Sequence, residues 1–436
     1  MPLLDIASPP SHRHLPVYEQ ISTERNGSLD THATYWWQTS GRFLAALLED
    51  AGYIRTAQHK ILMFFSATIT PFMGPARTTR DDSPQWRSFM TDDHHPIELS
   101  WDFGTGGKAP TIRFSIEPLG IDAGTSSDPH NEHARSDFLE VLIRELPDMD
   151  LETFRHFEHE LISRNPVDVN VLQEIQGHPS TIFFGFDLIR DKIRTKAYFF
   201  PGLKAKEEDR TNLQVVASVI ATAPGCSPGQ LNALRTFEDF VREHDAATPE
   251  FSLEIDMLAI DLVPPTESRV KIYFRTRDTS FASVRQMMTL GQRLPRVEFG
   301  KLHRFWDALL DQAGAPDDQP LSGADVSHRT AGLIYNVEIR SGSVHPKVKI
   351  YIPVRHYARS DEAVLSAVHE YMSSVRAYGD RKKDTLGYAH TMQSLFKPAA
   401  MQQQGLHAYI GCSVDDNGEL RVVPYFNCEV DKMTGW

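Results

Sequence analysis

The chain has 436 residues, 41% of them hydrophobic and 24% charged, the balance of a soluble globular protein. Its formal net charge of −13 implies an acidic exterior and argues against a nucleic-acid partner, which would need a basic surface. Cys226, Cys412 and Cys428 lie far apart and in no metal-ligand spacing, so neither a disulfide framework nor a zinc site is expected. Met1 to Pro16 lacks the apolar core of a secretion signal, and the most apolar run, Ile61 to Phe65, is too short to cross a bilayer. A cytoplasmic protein with no membrane partner is the expectation.

Apolar residues at helical spacing come first: Trp36, Phe43, Leu44, Leu47 and Leu48. Two strand-like runs follow, Ile97–Phe103 and Thr111–Glu117, joined by Gly104-Thr105-Gly106-Gly107-Lys108. That link lacks the Gly-x-x-x-x-Gly-Lys-[Ser/Thr] spacing and joins two strands, so it reads as a hairpin turn and not a phosphate loop. Stripes at Phe138, Val141, Leu142 and at Phe154, Phe157, Leu161 lead to strands at Thr181–Ile189 and Arg194–Tyr198. Leu213, Val216, Ile220, then Leu231, Leu234, Phe237, Val241, precede strands at Phe251–Leu262 and Arg269–Tyr273. Phe281, Val284, Met288, then Leu302, Phe305, Trp306, Leu309, precede Gly332–Arg340 and Lys347–Tyr351. Val364, Leu365, Val368, Met372 and a shorter stretch from Leu386 to Phe396 precede His407–Val414 and Leu420–Glu429. Helix, helix, strand, strand thus recurs five times, in units of roughly 30–120, 128–203, 208–277, 280–355 and 360–430.

Three of the second strands share one pattern. Arg194-Thr195-Lys196-Ala197-Tyr198, Arg269-Val270-Lys271-Ile272-Tyr273 and Lys347-Val348-Lys349-Ile350-Tyr351 all read basic-x-Lys-x-Tyr, with tyrosines 75 and 78 residues apart. Alternate residues of a strand share a face, so two cations and a phenol point the same way in each. The outer copies are degenerate: Arg113 stands alone in the first, and Arg421 and Tyr425 flank Val423 in the last. Ten strands in five hairpins, with helices to cover only one face, are best satisfied by closing the sheet, which removes its edges. The expected fold is α+β: ten antiparallel strands around a solvent-filled lumen with an outer ring of helices, one domain spanning 1–436.

Arg113, Arg194, Lys196, Arg269, Lys271, Lys347 and Lys349 would bring about seven positive charges into one cavity, and buried charge needs a partner. A diphosphate suits such a cluster. Arg194 and Lys347 begin their strands and can equally turn to water. Asp81-Asp82, Asp92-Asp93, Asp317-Asp318 and Asp415-Asp416 lack the Asp-Asp-x-x-Asp spacing of a magnesium clamp and read as solvated turn residues. His94-His95 sits on an extended segment, where neighbours point apart, so no metal ligand is expected there. Tyrosine faces lining a cavity stabilise a cation and exclude the water that would quench it.

The five units, Pro96-Ile97-Glu98-Leu99-Ser100, Ile112-Arg113-Phe114-Ser115-Ile116-Glu117-Pro118 and the Lys-x-Tyr strands together resemble the fungal aromatic (indole) prenyltransferases of the dimethylallyltryptophan synthase type, which form the ABBA barrel. The resemblance runs from Leu15-Pro16-Val17-Tyr18 through the last hairpin. It implies metal-independent transfer of a prenyl group, first of all dimethylallyl, from its diphosphate to an electron-rich aromatic ring, with an indole (a tryptophan derivative or cyclic dipeptide) the first choice. No cofactor is required, Mg²⁺ or Ca²⁺ is not essential, and the partners are small-molecule substrates of a monomer or homodimer. By position, Glu98 matches the glutamate that bonds an indole N–H. Arg113, Lys196, Arg269, Lys271 and Lys349 match diphosphate ligands, and Tyr198, Tyr273, Tyr351, Tyr409 and Tyr425 the cation shield. Among so many cations, Glu98 is expected to stay ionised. Lys349 stands where some members carry glutamine. Phe183-Phe184-Gly185-Phe186 occupies the stretch where some carry a lysine proton acceptor, and implies an apolar acceptor pocket that points away from free tryptophan. The alternatives are a C- or O-prenyltransferase of a phenolic or polyketide acceptor, and a non-catalytic barrel carrying a polyanionic lipid.

Overall fold

Along each strand an outward apolar side chain alternates with an inward polar, aromatic or small one, and this two-sided pattern bends the sheet into a cylinder. The computed structural model describes residues 13–77, 84–105, 108–163, 169–295, 297–323, 325, 327–374, 382–415, 418–427 and 433. Asp81, Asp82, Gly106, Gly107, Asp416 and Cys428 lie outside the described residues. The strands are β1 (Ile97–Asp102), β2 (Thr111–Ile116), β3 (Ile182–Ile189), β4 (Lys192–Phe199) and β5 (Glu254–Asp261). They continue with β6 (Arg269–Thr276), β7 (Leu333–Arg340), β8 (Lys347–Ile352), β9 (His407–Val414) and β10 (Leu420–Phe426). Each pairs antiparallel with its neighbour in sequence, and β1 pairs with β10 through Leu99–Phe426 and Ser100–Tyr425 to close the barrel.

The outward row includes Leu99, Trp101, Phe114, Phe184, Phe274, Tyr335, Ile350 and Val422, all essentially inaccessible to water. Helices cover it. Each of the later four hairpins follows two principal helices: Glu132–Glu145 and Glu152–Leu161; Asn212–Ala221 and Pro228–Ala247; Phe281–Met288 and Gly300–Leu310; Asp361–Ser374 and Lys382–Leu395. Before β1 the corresponding pair is Arg42–Asp50 and Arg55–Phe64, and short helices fill several connections. The helices Asn212–Ala221 and Pro228–Ala247 open on reciprocal caps, Thr211 with Gln214 and Ser227 with Gln230, which satisfy backbone groups the first turn leaves unpaired. Most residues of the expected apolar stripes are buried, while Val141, Leu213 and Leu231 are half-buried at their edges. Leu386 is exposed, and the last stripe is Tyr388, Met392, Leu395 and Phe396 instead. A two-residue offset rotates Leu386 about 200° away from Tyr388 on a helix, onto the outer face.

Candidate active site

Along β6, Arg269, Lys271, Tyr273 and Arg275 all face the lumen in steps of about 6.7 Å, so one strand carries the lumen from a charged mouth to its far end. The mouth is a belt of alternating charge. Lys196 Nζ lies 2.5 and 2.6 Å from the two carboxylate oxygens of Asp187, and Arg113 Nε lies 3.0 Å from the same group. Arg113 also pairs with Asp102, which Arg421 Nε reaches at 2.9 Å. Arg269 bridges Asp261 at 2.5 Å and Glu338 at 3.0 Å, while Lys271 stands 3.8 Å from Glu338. Arg194 and Lys347 are both exposed, and Lys347 still lines the rim of the cavity.

The sequence reading foresaw the cations and not these acids. It expected an open cluster awaiting an anion, yet Asp102, Asp187, Asp261 and Glu338 already neutralise much of it. A signal was present. The residue paired across each hairpin with Arg113, Lys196, Lys271 and Lys349 is Ser100, Gly185, Ala259 and Asn336. In all four hairpins the acid comes two residues later on the same face. Burial alone would raise the Asp187 carboxyl, but Lys196 and Arg113 outweigh it and hold it well below its ordinary range. Glu338 is brought to about 2 in the same way, by Lys271 and Arg269 against burial. The lysines bear the opposite strain: burial, with Arg269 and Lys196 nearby, pushes Lys271 down to about 7. Burial, Arg421 and Arg113 push Lys349 well below its usual value.

Below the belt the tyrosines form an arc. Ring centroids are 6.1 Å apart from Tyr198 to Tyr273, 5.8 Å from Tyr273 to Tyr351 and 5.6 Å from Tyr351 to Tyr425. Tyr409 pairs across the ladder with Tyr425. Lys349 Nζ lies 4.3 Å from the Tyr351 ring centre and donates to Tyr425 Oη at 3.0 Å. It fits because position 411 is glycine: a Cβ there would stand 2.6 Å from Lys349 Nζ. Of the aromatic run on β3, Phe183 faces inward, stacked on Tyr198 at 4.1 Å. Phe184 and Phe186 pack outward on Phe138, so the acceptor pocket is less apolar than the run implied.

Glu98 faces the lumen four residues along β1 from Asp102, about 13 Å of strand. Among the described residues nothing hydrogen-bonds its carboxyl. Burial pushes it up to about 8, with Asp92 adding to the rise, so the expectation of an ionised group near the cations is corrected. The cations are spent on nearer acids. Asp92 and Asp93 are not solvated either. Thr330 Oγ1 lies 3.0 Å from both Asp92 oxygens and Arg355 Nε 3.4 Å from one, while Asn427 donates to Asp93 at 2.6 Å. His94 turns to the Ser88 carbonyl and His95 to Asp93 and Asn427, so the two histidines do point to different partners. Asp92, His328 and His356 do come within 4.8 Å of one another, a cluster with metal-binding side chains that lay too far apart in sequence to be noticed. Thr330 Oγ1 sits among them, 2.6 Å from His356 Nε2 and 2.9 Å from His328 Nδ1.

Belt, arc and Glu98 enclose a cavity of about 590 Å³, room for a prenyl diphosphate and an aromatic ring together. The family profile described as tryptophan dimethylallyltransferase matches residues 32–385. The chain belongs to this family. It is 32% identical over 419 residues to the 4-O-dimethylallyl-L-tyrosine synthase of Claviceps purpurea, covering 94% of this chain and 92% of that one. It is 30% identical over 410 residues to the 7-dimethylallyltryptophan synthase of Aspergillus fumigatus, covering 91% and 85%. Its fold matches the crystal structure of AnaPT from Neosartorya fischeri with a TM-score of 0.79 at 23% identity, over 96% and 99% of the two chains. As a member of the tryptophan dimethylallyltransferase family, the protein is an aromatic prenyltransferase with small-molecule substrates, and the lipid-carrier alternative falls away. Among its described residues no helix is long and apolar enough to cross a membrane.

Proposed function

We propose that this prenyltransferase moves a dimethylallyl group from its diphosphate to an aromatic acceptor bearing an N–H or O–H, without a metal ion. The observation that carries the reading is the separation of three chemistries along one lumen: a cationic belt, an arc of tyrosines, and a carboxyl with no partner. Arg113, Lys196, Arg269, Lys271, Lys349 and Arg421 hold the diphosphate, whose charge replaces water lost by Lys271 and Lys349. The C1–O bond breaks, its electron pair leaves on the diphosphate, and the allylic cation forms between Tyr198, Tyr273, Tyr351, Tyr409 and Tyr425. Each π-face contributes roughly 0.5–2 kcal/mol to such a cation in a desolvated site. Ionised Glu98 accepts the acceptor's N–H or O–H and raises the electron density of the attacking ring.

An indole and a phenol both satisfy Glu98. The indole reading is supported by the relative named as a 7-dimethylallyltryptophan synthase, the phenolic reading by the relative named for 4-O-dimethylallyl-L-tyrosine. Incubation with dimethylallyl diphosphate and, separately, L-tryptophan, L-tyrosine, a cyclic dipeptide and a polyketide phenol, with products read by mass spectrometry and NMR, decides between them. Absence of prenylated product from every acceptor would refute the proposed donor and acceptor classes.

A further inference from the structure

We infer that Asp92, His328 and His356 form a binding site for a late first-row transition-metal ion, Zn²⁺ the first choice, at the end of the lumen away from the belt. The site is separate from prenyl transfer. Arg275, which holds the Thr330 carbonyl there, is six residues along β6 from Arg269 in the belt, about 20 Å of strand.

Three connections bring the ligands together. Asp92 precedes β1, His328 precedes β7, and His356 lies on the short helix Val354–Tyr357 after β8. Arg277 Nη1 donates to the His328 carbonyl at 2.9 Å and Arg275 Nη1 to that of Thr330 at 3.1 Å, which fixes the turn between them. Gly332 N–H donates to Tyr357 Oη at 2.9 Å and ties that turn to the helix of His356. One ligand atom from each of the three residues lies within 4.8 Å of the other two. His356 Nε2 and Asp92 Oδ2 are 3.4 Å apart, the span of two metal bonds of about 2.1 Å at a tetrahedral angle. Asp92, Thr330 and His356 all line the lumen, so an ion has a way in.

The group now at the centre is the Thr330 hydroxyl, and it cannot satisfy its neighbours. Its oxygen lies 3.0 Å from both Asp92 oxygens, 2.6 Å from His356 Nε2 and 2.9 Å from His328 Nδ1. Thr330 N–H donates to His328 Nδ1 at 3.2 Å, so that nitrogen presents its lone pair. The Asp92 carboxylate also presents lone pairs, and the hydroxyl has a single proton to give. Two acceptors compete for it, and a cation at the centre would meet both. The Thr330 oxygen is then the nearest fourth donor.

The ligand set selects the ion. Imidazole suits Zn²⁺ and its neighbours in the series, whereas Mg²⁺ and Ca²⁺ take oxygen ligands. Arg355 Nε already lies 3.4 Å from Asp92. An ion held by charge alone would have to displace it for one carboxylate, while a late transition metal gains two imidazole bonds.

The test is calorimetry on protein stripped with EDTA and exchanged into buffer without pyrophosphate, which would itself chelate the metal. Zn²⁺ should bind with one equivalent per chain, and Mg²⁺ should show no binding heat. His328→Ala and His356→Ala should each weaken Zn²⁺ binding by about tenfold or more, and His14→Ala, at an exposed position, should leave it unchanged. Zn²⁺ should raise the melting temperature of the wild type and not of the two site variants. Two measurements need no variant. Co²⁺ on the wild type should give a visible d–d band that Zn²⁺ abolishes, and anomalous diffraction at the zinc edge should place one ion between Asp92, His328 and His356. Absence of stoichiometric Zn²⁺ binding, wild-type affinity in both site variants, or an anomalous peak on other residues would overturn the inference. Prenyl transfer by the stripped protein, measured separately, bears on the proposed reaction alone.

Discussion

Asp187 lies 2.5 Å from Lys196 Nζ inside the lumen, with the two side chains 9% and 8% exposed. The lysine proposed to receive diphosphate is thus already held by a carboxylate that would oppose the ligand's charge. Asp187→Asn removes one negative charge within several ångströms of the bound anion, an interaction of about 2 kcal/mol at an effective dielectric near 20. Pyrophosphate should then bind about thirtyfold tighter and inhibit turnover more strongly. Weaker pyrophosphate binding in Asp187→Asn would mean that the acid's task is to aim Lys196.

Lys271 carries the reverse prediction. Its amine is pushed down to about 7 in the empty lumen, and the charged form is the one that binds diphosphate. Donor affinity should be full below pH 7 and decline as pH rises through it, with proton uptake on binding visible as a buffer-dependent calorimetric enthalpy. Lys271→Arg keeps its charge and should flatten the profile. Lys271→Ala should weaken binding by one to two orders of magnitude, from the loss of roughly 1.5–3 kcal/mol of charge-assisted contact. A wild-type affinity constant from pH 6 to 9 would remove Lys271 from the donor site.

For Glu98 the active form is the ionised one, and its carboxyl titrates near 8. Acceptor turnover should rise with pH toward that value and above it, and Glu98→Gln should lose the rise along with roughly 10²–10⁴-fold in rate, at near-normal donor affinity. A stability signature accompanies it. The folded-state pKa exceeds the ordinary 4.5, so the stability this group contributes is fully present below 4.5 and is lost as pH rises from there through 8. Glu98→Gln should therefore gain melting temperature relative to wild type as pH is raised from 5 to 9. An unchanged difference across that range would place Glu98 in contact with water or a cation.

The belt gives a prediction about metals. With lysine and arginine already around the diphosphate, turnover should persist in excess EDTA after divalent ions are removed. Complete loss, restored by Mg²⁺ alone, would show that the belt leaves the donor undercharged.

Much of this barrel was legible because strand periodicity is local: Lys196 and Tyr198 must share a face whatever lies around them. Closure followed from counting hairpins and helices. What stayed hidden depends on register. Asp187 and Asp261 close strands beside turns, where an acid ordinarily meets water, and only pairing across the ladder shows them turned inward. The same holds for Phe184, whose outward direction is set by its neighbours on β2 and β4. Thr330 lies between the expected helices and strands of its repeat, on a connection whose place is fixed by Arg275 and Arg277. The Glu98 carboxyl departs from the ionised state expected of it because Asp102, Asp187, Asp261 and Glu338 pair with the cations first.

The seam between β1 and β10 has a consequence for how the protein comes into being. Ser100 finds its neighbour in Tyr425, so the wall that holds Glu98 is finished only by β10, the last strand of the barrel in chain order. Until then Arg113, Lys196 and Lys271 line an open trough whose edges offer unpaired backbone groups to any passing strand. Closure is thus a single pairing between the first and last strands, and a chain without β10 in place has its lumen open along one side.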